Sequence, residues 1–175
     1  RVNTKTKKKV KLTNSKRANY PKFSPDGKSI LFVAHENSTS QLYTMNIDGS
    51  DIKQVTLNEG DVQIVTPAWS PDGGSVAFAM SETDGNMDIH ILELSTGKTQ
   101  QITNSPEIDA SPIWHPKGDM ISYTGYYDIT PNLYTYDFSN GKTIQNTDLW
   151  DLQRGVAWNA QYSTITATTF NEVDS

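Results

Sequence analysis

The sequence predicts an all-β fold, a β-propeller of four-stranded antiparallel blades, and three observations carry that prediction. First, the phrase YPKFSPDGKSILF at residues 20–32 returns as TPAWSPDGGSVAF at 66–78 and as SPIWHPKGDMISY at 111–123. Second, aligning Phe23, Trp69 and Trp114 gives spacings of 46 and 45 residues, and a weaker copy, GVAWNAQYSTITA, puts Trp158 another 44 residues on. A period of about 40–50 residues belongs to stacked β units, above all to propeller blades. Third, strand-like runs separated by turn chemistry fill each period, and no stretch keeps a helical period over three turns.

Each unit opens with Pro-x-aromatic: Pro21 and Phe23, Pro67 and Trp69, Pro112 and Trp114. Proline is tolerated at the start of a strand, where its missing N–H does little harm. Ser-Pro-Asp-Gly follows at 24–27 and 70–73. Proline presets φ at the second turn position and glycine closes the turn, so the chain reverses into a hairpin. The next runs, ILFVA (30–34), VAFAM (76–80) and MISY (120–123), are apolar on both faces. A strand reads so when neighbours cover both sides. After a variable polar loop come QLYTMNI (41–47), DIHILEL (88–94) and NLYTYDF (132–138), ending at Asp48-Gly49, Thr96-Gly97 and Asn140-Gly141. Asx-Gly is a strong hairpin signal. Short fourth strands, QVT (54–56) and QIT (101–103), close the units.

The ends fall out of phase with the period. Leu12-Thr13 aligns with Val55-Thr56 and Ile102-Thr103, so residues 1–13 read as the end of a blade. Blades at 14–56, 57–103 and 104–147 follow, and 148–175 read as the start of another. The expectation is three full blades plus two half blades, a segment of a longer chain. Pairing of the two half blades into a fourth blade that closes the ring is the alternative, two such chains closing a larger ring is a further variant, and open blade faces would invite self-association.

Charged residues make up 20% and hydrophobic residues 35%, with a net charge of −5. Such a chain is globular and, as a whole, no nucleic-acid binder. The Lys-rich KTKKKVKLTNSKR (5–17) reads as a protected edge strand rather than an anion site. The absence of cysteine excludes a disulfide framework and Cys-based zinc sites. No run approaches the ~18 apolar residues of a membrane span.

The P-x-[FW]-S-P-D-G-x-x-[IV]-x-F core, LYTMNIDGS (42–50) and DGNMDIHIL (84–92) together resemble the TolB-type, WD-like β-propeller repeat. The third copy departs from it, with His115 for Ser and Lys117 for Asp. The fourth has Asn159, Ala160, Gln161 and Tyr162 in place of the turn. The resemblance implies a non-catalytic scaffold in the periplasm or at the cell envelope. It would dock a protein or peptide on its top face and central channel. It implies no cofactor.

A motif written three times marks architecture, since one active site needs one copy. In a blade, the turns joining strands one to two and three to four share the bottom face, so Asp26 and Asp72 read as structural. The loops between strands two and three, and the links between blades, lie on top. These supply the candidate binding residues Arg17, Glu59, Asp61, Glu107, Asp109, Tyr126, Tyr127, Trp150 and Arg154. Mixed charges and rigid aromatics suit a protein, peptide or glycan surface. Asp84, Asn86 and Asp88 have the opening spacing of a calcium loop but lack its later Gly and distal Glu, so they stand as a weak metal alternative. His35, His90 and His115 fall at different phases of the repeat and form no evident cluster. No G-x-S-x-G elbow is present. Two rivals remain. One is the propeller of a prolyl-oligopeptidase-type peptidase, gating a hydrolase outside this chain. The other is a propeller lyase with a channel-bound metal.

Overall fold

The structure is a computed structural model that describes residues 2–13, 17–81, 85–127 and 130–148, together with the backbone of 153–159 and 164–169. Among them every strand-rich unit is an antiparallel meander. The first blade holds β1 (Arg17–Phe23), β2 (Ser29–Glu36), β3 (Thr39–Asn46) and β4 (Lys53–Gln54). The second holds β5 (Gln63–Trp69), β6 (Ser75–Ser81), β7 (Met87–Glu93) and β8 (Lys98–Gln101). The third holds β9 (Asp109–Trp114), β10 (Met120–Gly125), β11 (Asn132–Asp137) and β12 (Lys142–Gln145). A two-stranded hairpin of β13 (Gln153–Asn159) and β14 (Thr164–Thr169) follows. Residues 2–13 form a turn closed by a Val2–Lys9 bridge. The Asn3 side chain caps it, accepting the Lys5 and Thr6 amides at 3.0 and 2.8 Å.

The prolines sit mid-strand, not at strand starts as the turn rules suggest. In each first strand the ladder slips by one residue, so Tyr20-Pro21, Thr66-Pro67 and Ser111-Pro112 each oppose a single residue. A bulge needs no ladder N–H at its extra residue, and proline has none to give. The residue before each proline adopts left-handed backbone: φ is 53° at Tyr20, 50° at Thr66 and 56° at Ser111. In the hairpin the slip falls between Arg154 and Val156, where the sequence places Gly155.

Opposite the bulges stand Phe32, Phe78 and Tyr123, all essentially inaccessible to solvent. Each stacks on a ring of its third strand: Phe32 on Tyr43 at 5.4 Å, Phe78 on His90 at 6.0 Å, Tyr123 on Tyr134 at 5.8 Å. Leu31, Val33 and Leu42 of the first blade pack against Ile64, Val76, Phe78 and Leu92 of the second. The other face of the second blade, Ala77, Ala79 and Ile89, packs against Ile121, Tyr123 and Tyr134 of the third. That explains a second strand apolar on both faces: the second blade is the filling between the first and the third.

The repeated aromatic has a further task. The Trp69 indole N–H donates to the Lys22 carbonyl at 3.2 Å, and the Trp114 indole to Ala68 at 3.2 Å. Each tryptophan thus ties its first strand to the residue just before the matching aromatic one blade earlier. First strands also contact one another in succession, β1 with β5, β5 with β9 and β9 with β13, so the blades converge on their first strands. Phe23, with no indole N–H, is 63% exposed. It borders an apolar recess of about 520 Å³ formed by Val2, Val10, Leu12, Pro21, Ile30 and Met45 on the outer face of the first blade.

Candidate functional site on the top face

The bottom turns account for their own polar groups. Ser24 Oγ donates to Asp26 at 2.6 Å and accepts the Ser29 amide, while Asp26 accepts the Lys28 amide. Ser70, Asp72, Gly74 and Ser75 repeat the pattern. The serine hydroxyl, and then the backbone N–H, hold both carboxyls below the usual carboxylate range. The third turn performs the same task with residues exchanged. His115 Nδ1 lies 2.6 Å from Asp119, so the carboxylate has moved from the third position of the turn to the fifth. The turns also touch: a Cβ on Gly73 would lie 3.7 Å from Pro25, and one on Gly118 3.8 Å from Pro71.

The top face differs. Its base is a clasp at the start of each third strand. Thr56, Thr103 and Thr147 accept the amides of Leu42, Ile89 and Leu133 at 2.9 Å. The same hydroxyls donate to Gln41, Asp88 and Asn132. The fourth strands end at Gln54 and Gln101; beyond them Val55 and Ile102 still donate their amides to Leu42 O and Ile89 O before the threonines turn inward to the clasp. Asp88, one of the three metal candidates, also accepts from Gln101 and the Ser105 amide. Asn86 donates to the Ser105 carbonyl. Asp84 lies outside the described residues. Among the described residues no three His, Asp or Glu are placed to hold a metal ion.

Upon this base the loops are pinned to the links. Between the first two blades, Ser40 N–H donates to Val62 O, Thr39 Oγ1 to Gly60 O, and Gln63 Nε2 to Ser38 O. Ser40 Oγ lies 3.0 Å from His35 Nδ1. Arg17, His35, Asn37, Ser38 and Gln63 line an open cleft of about 650 Å³ there. Glu59 and Asp61 are exposed on the adjoining link. On the link between the second and third blades, Ile108 O accepts the Tyr126 N–H at 3.0 Å, one step beyond the Gly125–Asp109 pair of β10 and β9; Tyr126 is 38% exposed, and Glu107 is exposed next to Ile108. The structure thus puts Arg17 with the Glu59–Asp61 link at one seam, and Glu107 with Tyr126 at the next. Trp150 lies outside the described residues, as does the Arg154 side chain.

Asp109 is unlike the rest of the set. Predicted as a surface ligand, it is wholly buried. Oδ2 accepts from the Tyr127 hydroxyl at 3.0 Å, while Oδ1 has no hydrogen-bond partner. Burial first of all raises its carboxyl to about 6, with the Asp88 charge adding to the rise. Tyr127, its ring edge-on to Tyr134 at 4.6 Å, is a seam residue more than a surface one. His35 and Gln63 are the site residues that sequence reasoning missed. Their signal was the phase of the repeat: both sit at the top ends of strands beside Arg17.

The comparisons agree with this architecture. The family model described as TolB beta propeller domain matches residues 61–169. The Tol-Pal system protein TolB of Francisella tularensis subsp. mediasiatica is 37% identical over 102 residues, covering 57% of this chain and 23% of that protein. The chain thus spans about a quarter of the length of that curated relative. The crystal structure of TolB from Acinetobacter baumannii superposes with a TM-score of 0.80 at 26% identity, covering 93% of this chain and 40% of that one. The propeller fold also recurs in puromycin hydrolase, with a TM-score of 0.68 at 18% identity, over 94% of this chain and 31% of that one. With three sheets of four antiparallel strands in series and a family model over more than half its length, the chain belongs to the TolB β-propeller domain family.

Proposed function

We propose that this chain is a non-catalytic propeller module that docks a protein or peptide partner on its top face, at the periplasmic cell envelope. One observation carries the reading. The bottom turns repeat one self-satisfied hydrogen-bond pattern, whereas the top loops differ from blade to blade and are held rigid by bonds to the links. A rigid, chemically varied surface binds at low entropic cost. The Arg17–His35–Gln63 cleft, with Glu59 and Asp61 beside it, offers both charge signs to a partner. Tyr126 offers an exposed ring, the residue type enriched in interfaces. The kinship with a Tol-Pal system protein makes another component of such a system the first partner to test. The apolar recess beside Phe23 reads, in the same proposal, as the seat of a neighbouring blade in a larger ring.

Amide chemical-shift mapping with a purified Tol-Pal partner tests this. Shifts should gather at Arg17, His35, Gln63 and Tyr126 and spare Asp26, Asp72 and Asp119. Shifts confined to the bottom turns, or no binding, would overturn the reading. The rival, a propeller gating a peptidase domain outside this chain, rests on likeness of fold alone. A G-x-S-x-G sequence in a longer reading frame would favour it.

A further inference from the structure

We propose that the buried Asp109 carboxyl, with Tyr127 packed over it, is a proton-controlled latch on the top-face seam between the second and third blades. Asp109 occupies the place in the third blade that Ile64 occupies in the second, five residues before the tryptophan, and both are fully buried. The repeat therefore asks for an apolar group there and receives a carboxyl. Only one of its oxygens is served by strong geometry, by Tyr127 at 3.0 Å, with Ser105 Oγ at 3.5 Å. Oδ1 is buried without a partner. A neutral carboxyl tolerates that site, whereas an ionised one leaves charge on an unserved oxygen.

Hydrogen bonding from Thr103, Tyr127 and Ser105 favours the ionised form, but burial outweighs it and no cation lies among the described neighbours to offset the charge. β7 contributes Asp88, a second carboxylate, and His90 beyond it. Tyr123 of β10 lies 3.3 Å from the Tyr127 hydroxyl, so two phenols line up behind the acid. Tyr134 of β11 meets Tyr127 edge-on. On the link, Glu107 is exposed and adds a negative charge. β13 packs beside β9, and the side chains of its Gln153 and Arg154 lie outside the described residues.

Tyr127 is wedged rather than free: a Cβ on Gly125 would come within 2.6 Å of its ring. Its release would therefore free the segment that carries Tyr126. Proton loss from Asp109 favours the open seam, and proton gain favours the closed one. With the closed-state carboxyl titrating near 6 and an opened one near 3.8, opening increases from acid upward and levels off above about pH 6. Linkage sets the expected rise between pH 4.5 and 7 at on the order of twenty-fold.

Amide exchange at Tyr126, corrected for the intrinsic rate, reads this directly in the intact chain. Wild type should show the rise, and Asp109→Asn, which cannot ionise, should show a flat profile. Carboxyl carbon shifts of Asp109 should titrate well above an ordinary aspartate. Tyr127→Phe, which removes the hydroxyl donor, should move that titration higher still. An ordinary aspartate titration, or the same pH dependence of opening in wild type and Asp109→Asn, would overturn the proposal.

Discussion

Replacing Trp114 by phenylalanine removes one atom group that the fold uses between blades, the indole N–H donated to Ala68 O at 3.2 Å. The phenyl ring still fills most of the space and still reaches Phe138, on which the indole stacks at 5.7 Å. The loss therefore has two parts. A hydrogen bond of this kind contributes about 1 kcal/mol net. The smaller ring buries roughly 30 Å² less, which at about 25 cal/mol per Å² adds under 1 kcal/mol. The sum is about 1–2 kcal/mol, or a fall of about 3–6 °C in melting temperature for a chain of this size. Urea unfolding followed by far-UV circular dichroism measures it. Phe23→Trp is the matched control: with no described blade before it, a new indole should change stability by less than about 0.5 kcal/mol. If Trp114→Phe lay within about 0.3 kcal/mol of wild type, the indole would be a space-filler and the inter-blade tie would be refuted.

Other perturbations reach other parts of the account. Gly125→Ala forces a methyl into the Tyr127 and Tyr134 rings, at 2.6 and 2.9 Å, and should cost about 1–3 kcal/mol by thermal melt. Thr103→Val keeps the shape of the clasp but strips the acceptor from the Ile89 amide and a donor from Asp88; about 2–4 kcal/mol in denaturant midpoint is expected. Asp26→Asn with Asp72→Asn tests the turns through pH. Both carboxyls titrate below their unfolded value, so their stabilisation is complete above about pH 4 and lost as pH falls through the lowered values. The double variant should flatten the acid limb of a melting-temperature profile between pH 5 and 2 and leave the turn loops folded at pH 7.

Much of the architecture is legible in the sequence. The period located the blades, apolarity on both faces marked β2, β6 and β10 as buried between neighbours, and the Gly positions located the bottom turns. What escaped was chemistry that joins residues far apart in sequence. Sequence rules place the prolines at strand starts, their usual position. Only the pairing register shows that Tyr20, Thr66 and Ser111 turn left-handed to form a bulge. His115 and Lys117 read as departures from the motif, because a motif comparison matches position by position. Asp119, two residues beyond, restores the carboxylate. Asp109 was grouped with exposed acids since its loop neighbours, Glu107 and Ser105, are polar. The repeat phase, which aligns it with Ile64, was the signal that it is buried.

The claim that bottom turns are scaffold and top loops are the working surface meets its most direct test in one affinity comparison. Two variants would be titrated against the same Tol-Pal partner by calorimetry. One carries Arg17→Glu with Asp61→Lys on top; the other carries Lys28→Glu with Lys53→Glu, both exposed on the bottom. A loss of tenfold or more in the first, with the second unchanged, is the expected result. Equal losses, or a loss in the second alone, would contradict the account.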